Sequence, residues 1–417
     1  MAPTPVAGEL DFSSPTFWSR PRDARYAAYA QLRALPERPF FSAGPSQTGK
    51  AEGGYYALLG HADVTEASRN PDVFSSAAGT TSVFDSAAES NEAFGSMLNM
   101  DDPRHARLRR IVSRSFTPKM IAKFEADVRR TAAQVVDDLL AAGQGDFVAQ
   151  VATRLPLKVI CDMMGIGDEH YDMIVRTTNI MLAGGDTEYV SADPLEARQQ
   201  SMAAAAELAE ALFALARGRE EHPGEDLVSV LVTGNVDGER LTHGELFAFF
   251  VLLMAAGNET TRNAISHALH LLTGHPGQRA LLLSDLDGLL GSFAEEVVRH
   301  ASPVIWMRRT VTRDYVLNRQ ALASGDKVLL FYQAANRDPA VFADPDRFDI
   351  TRSPNPHVGF GAPGPHFCLG AHLARREITT IWHELLTRAP GIRAAGEPDY
   401  LQSSFVNGIK RLRCELE

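Results

Sequence analysis

A cysteine in a stiff, glycine-rich loop is the residue of this chain best placed to do chemistry. Cys368 lies within the segment Gly359-Phe-Gly-Ala-Pro-Gly-Pro-His-Phe-Cys-Leu-Gly-Ala-His-Leu-Ala-Arg375. Its glycines allow close approach of the backbone, and its prolines fix the path between them. Residues 369–381 read as a helix, whose first N–H groups would stabilise a thiolate. A lone cysteine is more often a buried small hydrophobe, but this setting favours a thiolate that donates electron density to a metal.

A second set of polar residues interrupts the most apolar helical pattern of the chain. A capping-box signature at Thr242 and Glu245 precedes an apolar run that ends near residue 274, which predicts a helix of about 30 residues. In its middle stands Ala255-Ala-Gly-Asn-Glu-Thr-Thr261. Ala256 and Thr260 share a face and leave room for a small ligand, and Glu259 is placed to relay protons. The alternative is a kinked helix with a solvent-facing glutamate.

A Glu-x-x-Arg pair supplies a third motif. Glu296 and Arg299 are three residues apart on a predicted helix, so their side chains can pair. An exposed pair of this kind contributes little to stability. Arg347 lies downstream in Asp344-Pro-Asp-Arg-Phe-Asp349. If it joins the pair, a glutamate shared by two arginines would form a fixed, buried network.

A basic stretch stands out in an acidic chain. From Arg104 to Lys119 there are six Lys or Arg and no acid, whereas the net charge of the 417 residues is −11. The stretch is either a solvated helix face or an anion-binding segment, with cofactor carboxylates on one side and an acidic partner on the other.

The composition of the whole chain narrows the class of protein. The negative charge argues against general nucleic-acid binding, and three cysteines are too few for a disulfide framework. The chain lacks an uninterrupted apolar run of about 20 residues and a basic, then apolar, leader. We therefore expect a cytoplasmic protein that does not insert into a membrane.

Helical periodicity dominates the remaining sequence and predicts a mainly α fold with a small β part. One domain over residues 1–417, with about 15 loosely ordered N-terminal residues, fits this pattern. The polar connector at 184–194 reads equally as a lid or as a plain surface loop. Further helices are predicted at 22–35, 121–142, 157–181 and 195–219. Strands are predicted at 54–59, 308–317 and 328–331, with a terminal pair of strands near 405–414. A long loop is predicted at 75–99.

Together, and in this order, these four motifs resemble the cytochrome P450 family of haem-thiolate monooxygenases. The resemblance implies a single-domain triangular prism with a long central helix over the haem. It makes Cys368 the axial ligand of the iron of haem b, Glu259 and Thr260 the acid–alcohol pair, and Glu296, Arg299 and Arg347 a structural triad. The haem-binding residues that it implies are His105, Arg109, Arg309 and His366 at the propionates, with Ala256, Phe360 and Gly370.

The cysteine loop departs from the commonest family pattern. That pattern places an aromatic residue seven positions before the cysteine, whereas Phe360 is eight before Cys368, so the loop is one residue longer. The path of Ala362 and Pro363 is therefore left open. A similar longer loop, with Ala-Gly-Asn-Glu-Thr-Thr-Arg-Asn in the central helix, resembles actinobacterial members that oxidise sterols and methyl-branched lipids.

The resemblance implies insertion of one oxygen atom of O2 into an unactivated C–H bond of a hydrophobic small molecule. We expect hydroxylation of a methyl-branched lipid, fatty acid or isoprenoid near its chain end, with steroid, sterol or terpenoid hydroxylation as the alternative. Apolar residues near the motifs form the candidate pocket, although each reads equally as core. They are Phe84, Met97, Leu252, Ala255, Val304, Ile305, Trp306, Phe405 and Val406.

Electrons are expected from separate carriers, a ferredoxin and an NAD(P)H-dependent ferredoxin reductase. The basic stretch, with Arg375 and Arg376, would dock an acidic ferredoxin on a monomeric enzyme. Three other interpretations remain: a peroxide-driven haem enzyme, a non-catalytic haem-binding sensor, and a cysteine hydrolase that uses Cys368 with His366.

Overall fold

The computed structural model describes residues 3, 5–42, 53–85, 96–113, 116, 122, 124–183, 185–236 and 239–416. They form a mainly α fold with small sheets, which confirms the predicted fold class. Two compact units emerge. The sheet unit comprises Met1–Ala106, Val304–Arg347 and Pro356–Cys368, and the helical unit comprises Arg107–Pro303, Phe348–Asn355 and Leu369–Glu417. The single domain and its loosely ordered start stay predictions.

Helices make up most of the described chain, and none of these described helices has the length and apolar character needed to cross a membrane. They are α1 (Pro15–Trp18), α2 (Arg22–Arg33), α3 (His61–Arg69), α4 (Arg104–Ser113), α5 (Glu125–Ala142), α6 (Arg154–Met164), α7 (Tyr171–Leu182), α8 (Pro194–Glu221), α9 (Leu227–Thr233), α10 (His243–Gly274), α11 (Pro276–Ser284), α12 (Leu286–Ala301), α13 (Tyr332–Ala335) and α14 (Ala371–Arg388). Single 3₁₀ or π turns occupy Gly8–Leu10, Met97–Asn99, Val148–Ala152 and Asp168–His170.

The strands are short. They are β1 (Phe40–Ser42), β2 (Gly54–Leu58), β3 (Phe74–Ser75), β4 (Gln144–Asp146), β5 (Asn235–Val236), β6 (Glu239–Arg240), β7 (Trp306–Val311), β8 (Tyr315–Leu317), β9 (Gln320–Leu322), β10 (Lys327–Phe331), β11 (Arg393–Ala394), β12 (Asp399–Tyr400), β13 (Ile409–Arg411) and β14 (Arg413–Glu415).

The central helix, α10, begins and continues as its sequence predicts. The Thr242 side chain accepts a hydrogen bond from the Glu245 N–H at 3.1 Å, and the Glu245 carboxylate accepts one from the Thr242 N–H at 3.0 Å. This reciprocal cap satisfies two N–H groups that the first turn would otherwise leave unbonded. The helix then runs for 32 residues, which corresponds to roughly 48 Å at about 1.5 Å per residue.

The single helix predicted at 157–181 is wrong, because the structure has α6 and α7 there instead. Gly165 ends α6 in the left-handed conformation at φ +71° and donates its N–H to the Asp162 carbonyl. A Cβ at this position would lie 2.9 Å from the Arg219 guanidinium. The apolar periodicity runs on through this turn, and the glycine cap, which the periodicity does not register, stops the helix.

The sheet unit is built on five strands in the order β1-β2-β10-β7-β3. Strands β2 and β10 are parallel, and the other neighbours are antiparallel. Arg309 on β7 lies opposite Val328 on β10. Within the predicted 308–317 region, β7 ends at Val311 and β8 starts at Tyr315. The sheet therefore fixes the backbone that carries Arg309.

The predicted terminal strand pair is wrong in its pairing. Strand β13 pairs with β12, whereas β14 pairs with β11 and β4. Leu412 separates β13 from β14, and its N–H donates to the Asp146 carboxylate at 2.9 Å. The chain therefore changes partners at this residue rather than turning back on itself.

Candidate functional site

Local backbone hydrogen bonds close the cysteine loop, residues 359–370. The Cys368 N–H donates to the Phe360 carbonyl at 2.9 Å, and the Phe367 N–H donates to the Gly364 carbonyl at 3.2 Å. Gly361 adopts φ +83°, and its N–H reaches the Val358 carbonyl at 3.0 Å. A left-handed residue at this point suits glycine, because other residues are strained there. The sequence motif therefore specifies the shape that presents Cys368.

The extra residue of the loop runs inward. Ala362 is buried, with 1% of its surface exposed, and its carbonyl accepts a hydrogen bond from the Ser68 hydroxyl at 3.2 Å. Gly364 has φ +159°, and a Cβ there would lie 2.2 Å from the Ser68 carbonyl oxygen. The longer loop thus packs against the end of α3, which gives the path that the sequence left open.

Of the three cysteines, only Cys368 is exposed. Burial raises the pKa of Cys161 to about 12 and that of Cys414 to about 11. Those two thiols stay protonated at neutral pH, and a protonated thiol is a poor metal ligand. Cys368 is therefore the residue that can serve as a thiolate ligand.

Arg309 is a buried cation in the sheet unit. It is 4% exposed, and burial lowers the pKa of its guanidinium against the opposing effects of Tyr332 and Asp101. Its Nη1 donates to the Arg308 carbonyl at 2.7 Å, and no carboxylate of the described residues forms an ion pair with it. A buried guanidinium is costly unless an anion compensates it. This arginine consequently fits a carboxylate-bearing cofactor such as haem.

The structure brings His105 and His366 together. Their ring centroids are 4.2 Å apart at an interplanar angle of 35°. The His366 Nε2 lies 3.2 Å from the Ser76 hydroxyl, and the His105 Nδ1 lies 3.4 Å from the Asp102 carboxylate. Both histidines belong to the unit that holds Cys368 and Arg309, so the donor set of that unit fits a porphyrin with carboxylate arms.

In the polar turn of the central helix, the hydroxyl of Thr260 lies on a partly exposed face. The Thr260 hydroxyl donates to the Ala256 carbonyl at 2.7 Å, which is a common local bond of helical threonine. Ala256 is exposed and Leu252 half-buried, although most of this helix is buried. The predicted shared face of Ala256 and Thr260 is present.

The glutamate of this turn is buried, with 2% of its surface exposed, so the solvent-facing alternative is wrong. One carboxylate oxygen of Glu259, Oε1, accepts from the Arg262 guanidinium at 2.5 Å and from the Asn263 amide at 2.9 Å. Sequence reasoning missed both donors. The available signal was two further polar residues directly after the motif in an otherwise apolar helix.

The Glu-x-x-Arg pair forms a buried network. Glu296 and Arg299 are fully buried, and two guanidinium nitrogens each donate to a carboxylate oxygen at 2.7 Å. Arg352 adds a second guanidinium at 3.3 Å, and Asn355 donates at 3.1 Å. Arg352 was not singled out because it follows the motif in a segment without periodicity. The membership of Arg347 stays a prediction.

Much of the predicted positive charge is already paired. Arg107 lies 2.9 Å from the Glu245 carboxylate, Arg375 binds the two Glu295 oxygens, and Arg376 lies 3.5 Å from Glu125. Arg109 is half-buried and Arg110 exposed. Arg114 and Lys119 fall outside the described residues. The basic stretch is therefore weaker as a docking surface than its composition indicates.

The other residues predicted to contact the cofactor or the substrate differ in how exposed they are. Their roles in binding stay predictions. Gly370 caps α14, its carbonyl accepting the Ala374 N–H at 2.9 Å. Of the pocket candidates, Met97, Ile305, Trp306 and Val406 are buried, while Phe84, Leu252, Ala255, Val304 and Phe405 are half-buried.

The family profile and the most similar curated proteins that we compared all indicate the same protein family. The family profile described as Cytochrome P450 matches residues 53–388. The chain is 46% identical over 98% of its length to the methyl-branched lipid omega-hydroxylase of Mycobacterium tuberculosis, of which it covers 94%. It is 39% identical over 87% of its length to the steroid C26-monooxygenase of Mycolicibacterium smegmatis, of which it covers 83%.

Solved structures agree with the sequence comparison. A Mycobacterium marinum cytochrome P450 in complex with pseudoionone superposes with a TM-score of 0.92 at 38% identity. The superposition covers 99% of this chain and 100% of the other.

Proposed function

This chain belongs to the cytochrome P450 family, and from that premise we propose that it hydroxylates a methyl-branched lipid, fatty acid or isoprenoid near the end of the carbon chain. As a family member it is an oxidoreductase that incorporates oxygen from O2 with a haem-thiolate group. The observation that carries the substrate proposal is the 46% identity, over 98% of the chain, to the mycobacterial methyl-branched lipid omega-hydroxylase.

Steroid hydroxylation is the second candidate. It is supported by the 39% identity to the steroid C26-monooxygenase, over 87% of the chain. The pseudoionone bound to the Mycobacterium marinum relative supports an isoprenoid in the same way. All these molecules are hydrophobic, which matches the apolar side chains proposed for the pocket. Leu252, Ala255, Val304, Phe84 and Phe405 are the more exposed of these and are the ones we assign to substrate contact.

We assign the cofactor as haem b with Cys368 as its axial ligand. The bound group supplies the activation of O2, favoured by electron density from the thiolate. Arg309 contributes a buried positive charge for a carboxylate, and the adjacent rings of His105 and His366 contribute ring N–H groups. The other haem-contact assignments are Arg109, Ala256, Phe360 and Gly370.

The chain's own contribution to catalysis is to hold and deliver protons. We assign Thr260 as the alcohol that holds a proton at Oγ1, within a helix turn fixed by its bond to the Ala256 carbonyl. Glu259 serves as the acid that replenishes it. The buried network of Glu296 with Arg299 and Arg352 maintains the fold around these groups rather than taking part in the reaction.

A ferredoxin and its NAD(P)H-dependent reductase are the proposed electron donors, and the cytoplasm is the proposed compartment for a monomeric enzyme. A chain with three cysteines is too poor in cysteine for a disulfide framework, which suits a reducing compartment. Exposed Arg110 would add to the attraction for an acidic ferredoxin. Reduction by ferredoxin should then slow as ionic strength rises, and an unchanged rate would remove the charge-based docking from the proposal.

A binding titration of the haem-loaded enzyme tests the substrate class. Methyl-branched fatty acids should shift the haem spectrum from low to high spin at lower concentrations than steroids do. Turnover with NADPH, ferredoxin, reductase and O2 should then give a product hydroxylated near the branched end. Tighter binding and exclusive turnover of a steroid would favour the second candidate. Turnover by peroxide alone, faster than by this reductase system, would instead indicate the peroxide-driven class.

A further inference from the structure

Helix α2 carries a buried arginine that meets no acceptor in the described part of the chain. Arg25 is 5% exposed, and its Nε is buried without a hydrogen-bond partner among the described residues. Its guanidinium lies against the ring of Trp18, with Cζ 5.9 Å from the ring centroid. A guanidinium carries five N–H donors and a positive charge, and burying it without compensation is costly. Arg25 therefore fits an anionic ligand.

A neighbouring arginine shows how the same segment satisfies a guanidinium elsewhere. Arg20 lies at a similar distance from an aromatic ring, with Cζ 6.0 Å from the centroid of Phe17. Its Nη1 donates to the Glu9 carbonyl at 2.6 Å, and its Nη2 lies 3.4 Å from the Glu9 carboxylate. Arg20 thus has two acceptors although it is the more exposed of the two arginines. The lack of an acceptor is therefore particular to Arg25.

A second buried donor without an acceptor lies beside the same helix. Gln333 on α13 is 1% exposed, and its Oε1 accepts a hydrogen bond from the Tyr29 hydroxyl at 2.9 Å. Its Nε2 is buried and meets no acceptor among the described residues. Tyr29 follows Arg25 by four residues in α2, so the two side chains share a helix face. Arg25 and Gln333 therefore flank one phenol, and both lack an acceptor.

The charge that surrounds this phenol is positive. Burial raises the pKa of Tyr29, and the charges of Arg25, Arg337 and Arg22 oppose the rise. No carboxylate of the described residues is among the groups that act on the phenol. Arg337 does lie 3.4 Å from Asp346, but that carboxylate is 76% exposed, so solvent and salt screen the pair. The surroundings of Tyr29 therefore favour a bound anion.

We propose that Arg25 and Gln333 form a binding site for a small oxyanion of the carboxylate or phosphate class. The edge of a guanidinium matches two oxygens of either group. The Trp18 ring covers a face of the guanidinium and leaves the in-plane N–H donors available, and the Gln333 amide adds one more donor. Both residues belong to the sheet unit. Neither is among the residues proposed to contact haem or substrate.

Calorimetric titration of the haem-loaded enzyme with inorganic phosphate tests the site directly. At an ionic strength held constant with chloride, one saturable site is expected. Arg25→Met keeps an apolar stem but removes the donors, so the affinity for phosphate should fall by about tenfold or more, as for the loss of a charge-assisted hydrogen bond. Arg20→Gln is the matched control. It removes an arginine from the same segment and should bind phosphate as the wild type does.

Gln333→Glu is the sharper variant, because it supplies the negative charge from within the chain. The new carboxylate can still accept the bond from the Tyr29 hydroxyl while it compensates Arg25. In phosphate-free buffer the Tm of the haem-loaded variant should therefore exceed that of the wild type. Phosphate should raise the Tm of the wild type along a saturating curve, because a ligand bound to the folded state stabilises it. It should no longer do so in Gln333→Glu.

Acetate, titrated in the same way, separates the two kinds of oxyanion. Saturable acetate binding that is lost in Arg25→Met would assign the site to carboxylates, whereas phosphate binding without acetate binding would assign it to phosphates. The proposal is overturned if neither oxyanion binds saturably, or if the wild type, Arg25→Met and Gln333→Glu respond to phosphate alike. None of these measurements depends on turnover, so they stay decisive whichever substrate the enzyme hydroxylates.

Discussion

The cysteine loop and the acid-bearing turn of the central helix are stabilised in opposite ways. The loop is closed by backbone bonds between residues at most eight apart, such as the Cys368 N–H to the Phe360 carbonyl. The turn at Glu259 depends on side chains remote in sequence, including Asn179, which steadies one of its donors. The chemistry of the loop is therefore encoded locally, while that of the turn depends on the packing of several helices and a strand.

The largest effect expected in the loop comes from the cysteine itself. Cys368→Ser replaces sulfur by a poorer, protonated oxygen donor and should abolish hydroxylation. The reduced carbon monoxide adduct should also lose the red-displaced band typical of thiolate ligation. Cys161→Ala, at a buried thiol, is the control and should keep that band. Retention of the band in Cys368→Ser would refute the ligand assignment.

In the helix turn, Thr260→Ala should divert electrons from product to peroxide. Proton delivery by a positioned group typically contributes about 10²-fold or more, so product per NADPH should fall by a comparable factor while NADPH consumption continues. Thr260→Ser keeps the hydroxyl and should restore most of the product. Unchanged product per NADPH in the alanine variant would remove the proton role from Thr260.

A glycine substitution tests how strictly the conformation of the cysteine loop is fixed by its own residues. Gly364→Ala would place a Cβ 2.2 Å from the Ser68 carbonyl oxygen at φ +159°, which should cost about 1–3 kcal/mol of unfolding free energy. Gly370→Ala is the matched control, because a Cβ there meets nothing within 4 Å. Urea unfolding of the two variants measures the difference. Equal stabilities would show that the loop yields at Ser68 and is less rigid than its bonds indicate.

This contrast explains what could be predicted from sequence. The left-handed Gly361 and the capping box at Thr242 each depend on residues a few positions apart, so short motifs predicted them. The Arg352 contact to Glu296 and the Asn179 contact to Arg262 join segments 56 and 83 residues apart. Periodicity carries no information on such pairs. The break at Gly165 was missed for the converse reason, since one left-handed residue ended a helix within a continuous apolar pattern.

A buried acid beside the helix turn shows how far a sequence pattern can predict burial. Glu377 on α14 stands between arginines and an isoleucine in the sequence, in a context typical of a charged helix surface. Its position four residues before buried Ile381 places it on the inner face, and it is only 2% exposed. Burial raises the pKa of Glu377 to about 8, opposed by a hydrogen bond from Thr261. The carboxyl is therefore mostly neutral at pH 7.

This acid gives the smallest and most specific prediction for the turn. In the unfolded chain the carboxyl titrates near pH 4.5. Between about pH 4.5 and 8 the folded protein consequently keeps a proton that the unfolded chain releases. The contribution of Glu377 to stability is thus fully present below this window and is lost as pH rises through it, by about 1.4 kcal/mol per pH unit. The amide of Glu377→Gln does not titrate, so the variant should gain stability relative to the wild type as pH rises.

Urea unfolding of the haem-loaded wild type and Glu377→Gln at several pH values between 5 and 8 measures this gap. Glu384→Gln, half-buried on the same helix, controls for the removal of one acidic group. A gap between the wild type and Glu377→Gln that stays constant with pH would mean that Glu377 is charged in the folded protein. It would then be a compensated anion, and the polar groups around Thr261 would have to include a positive partner, so the packing beside the helix turn would depend on an ion pair rather than on a neutral carboxyl.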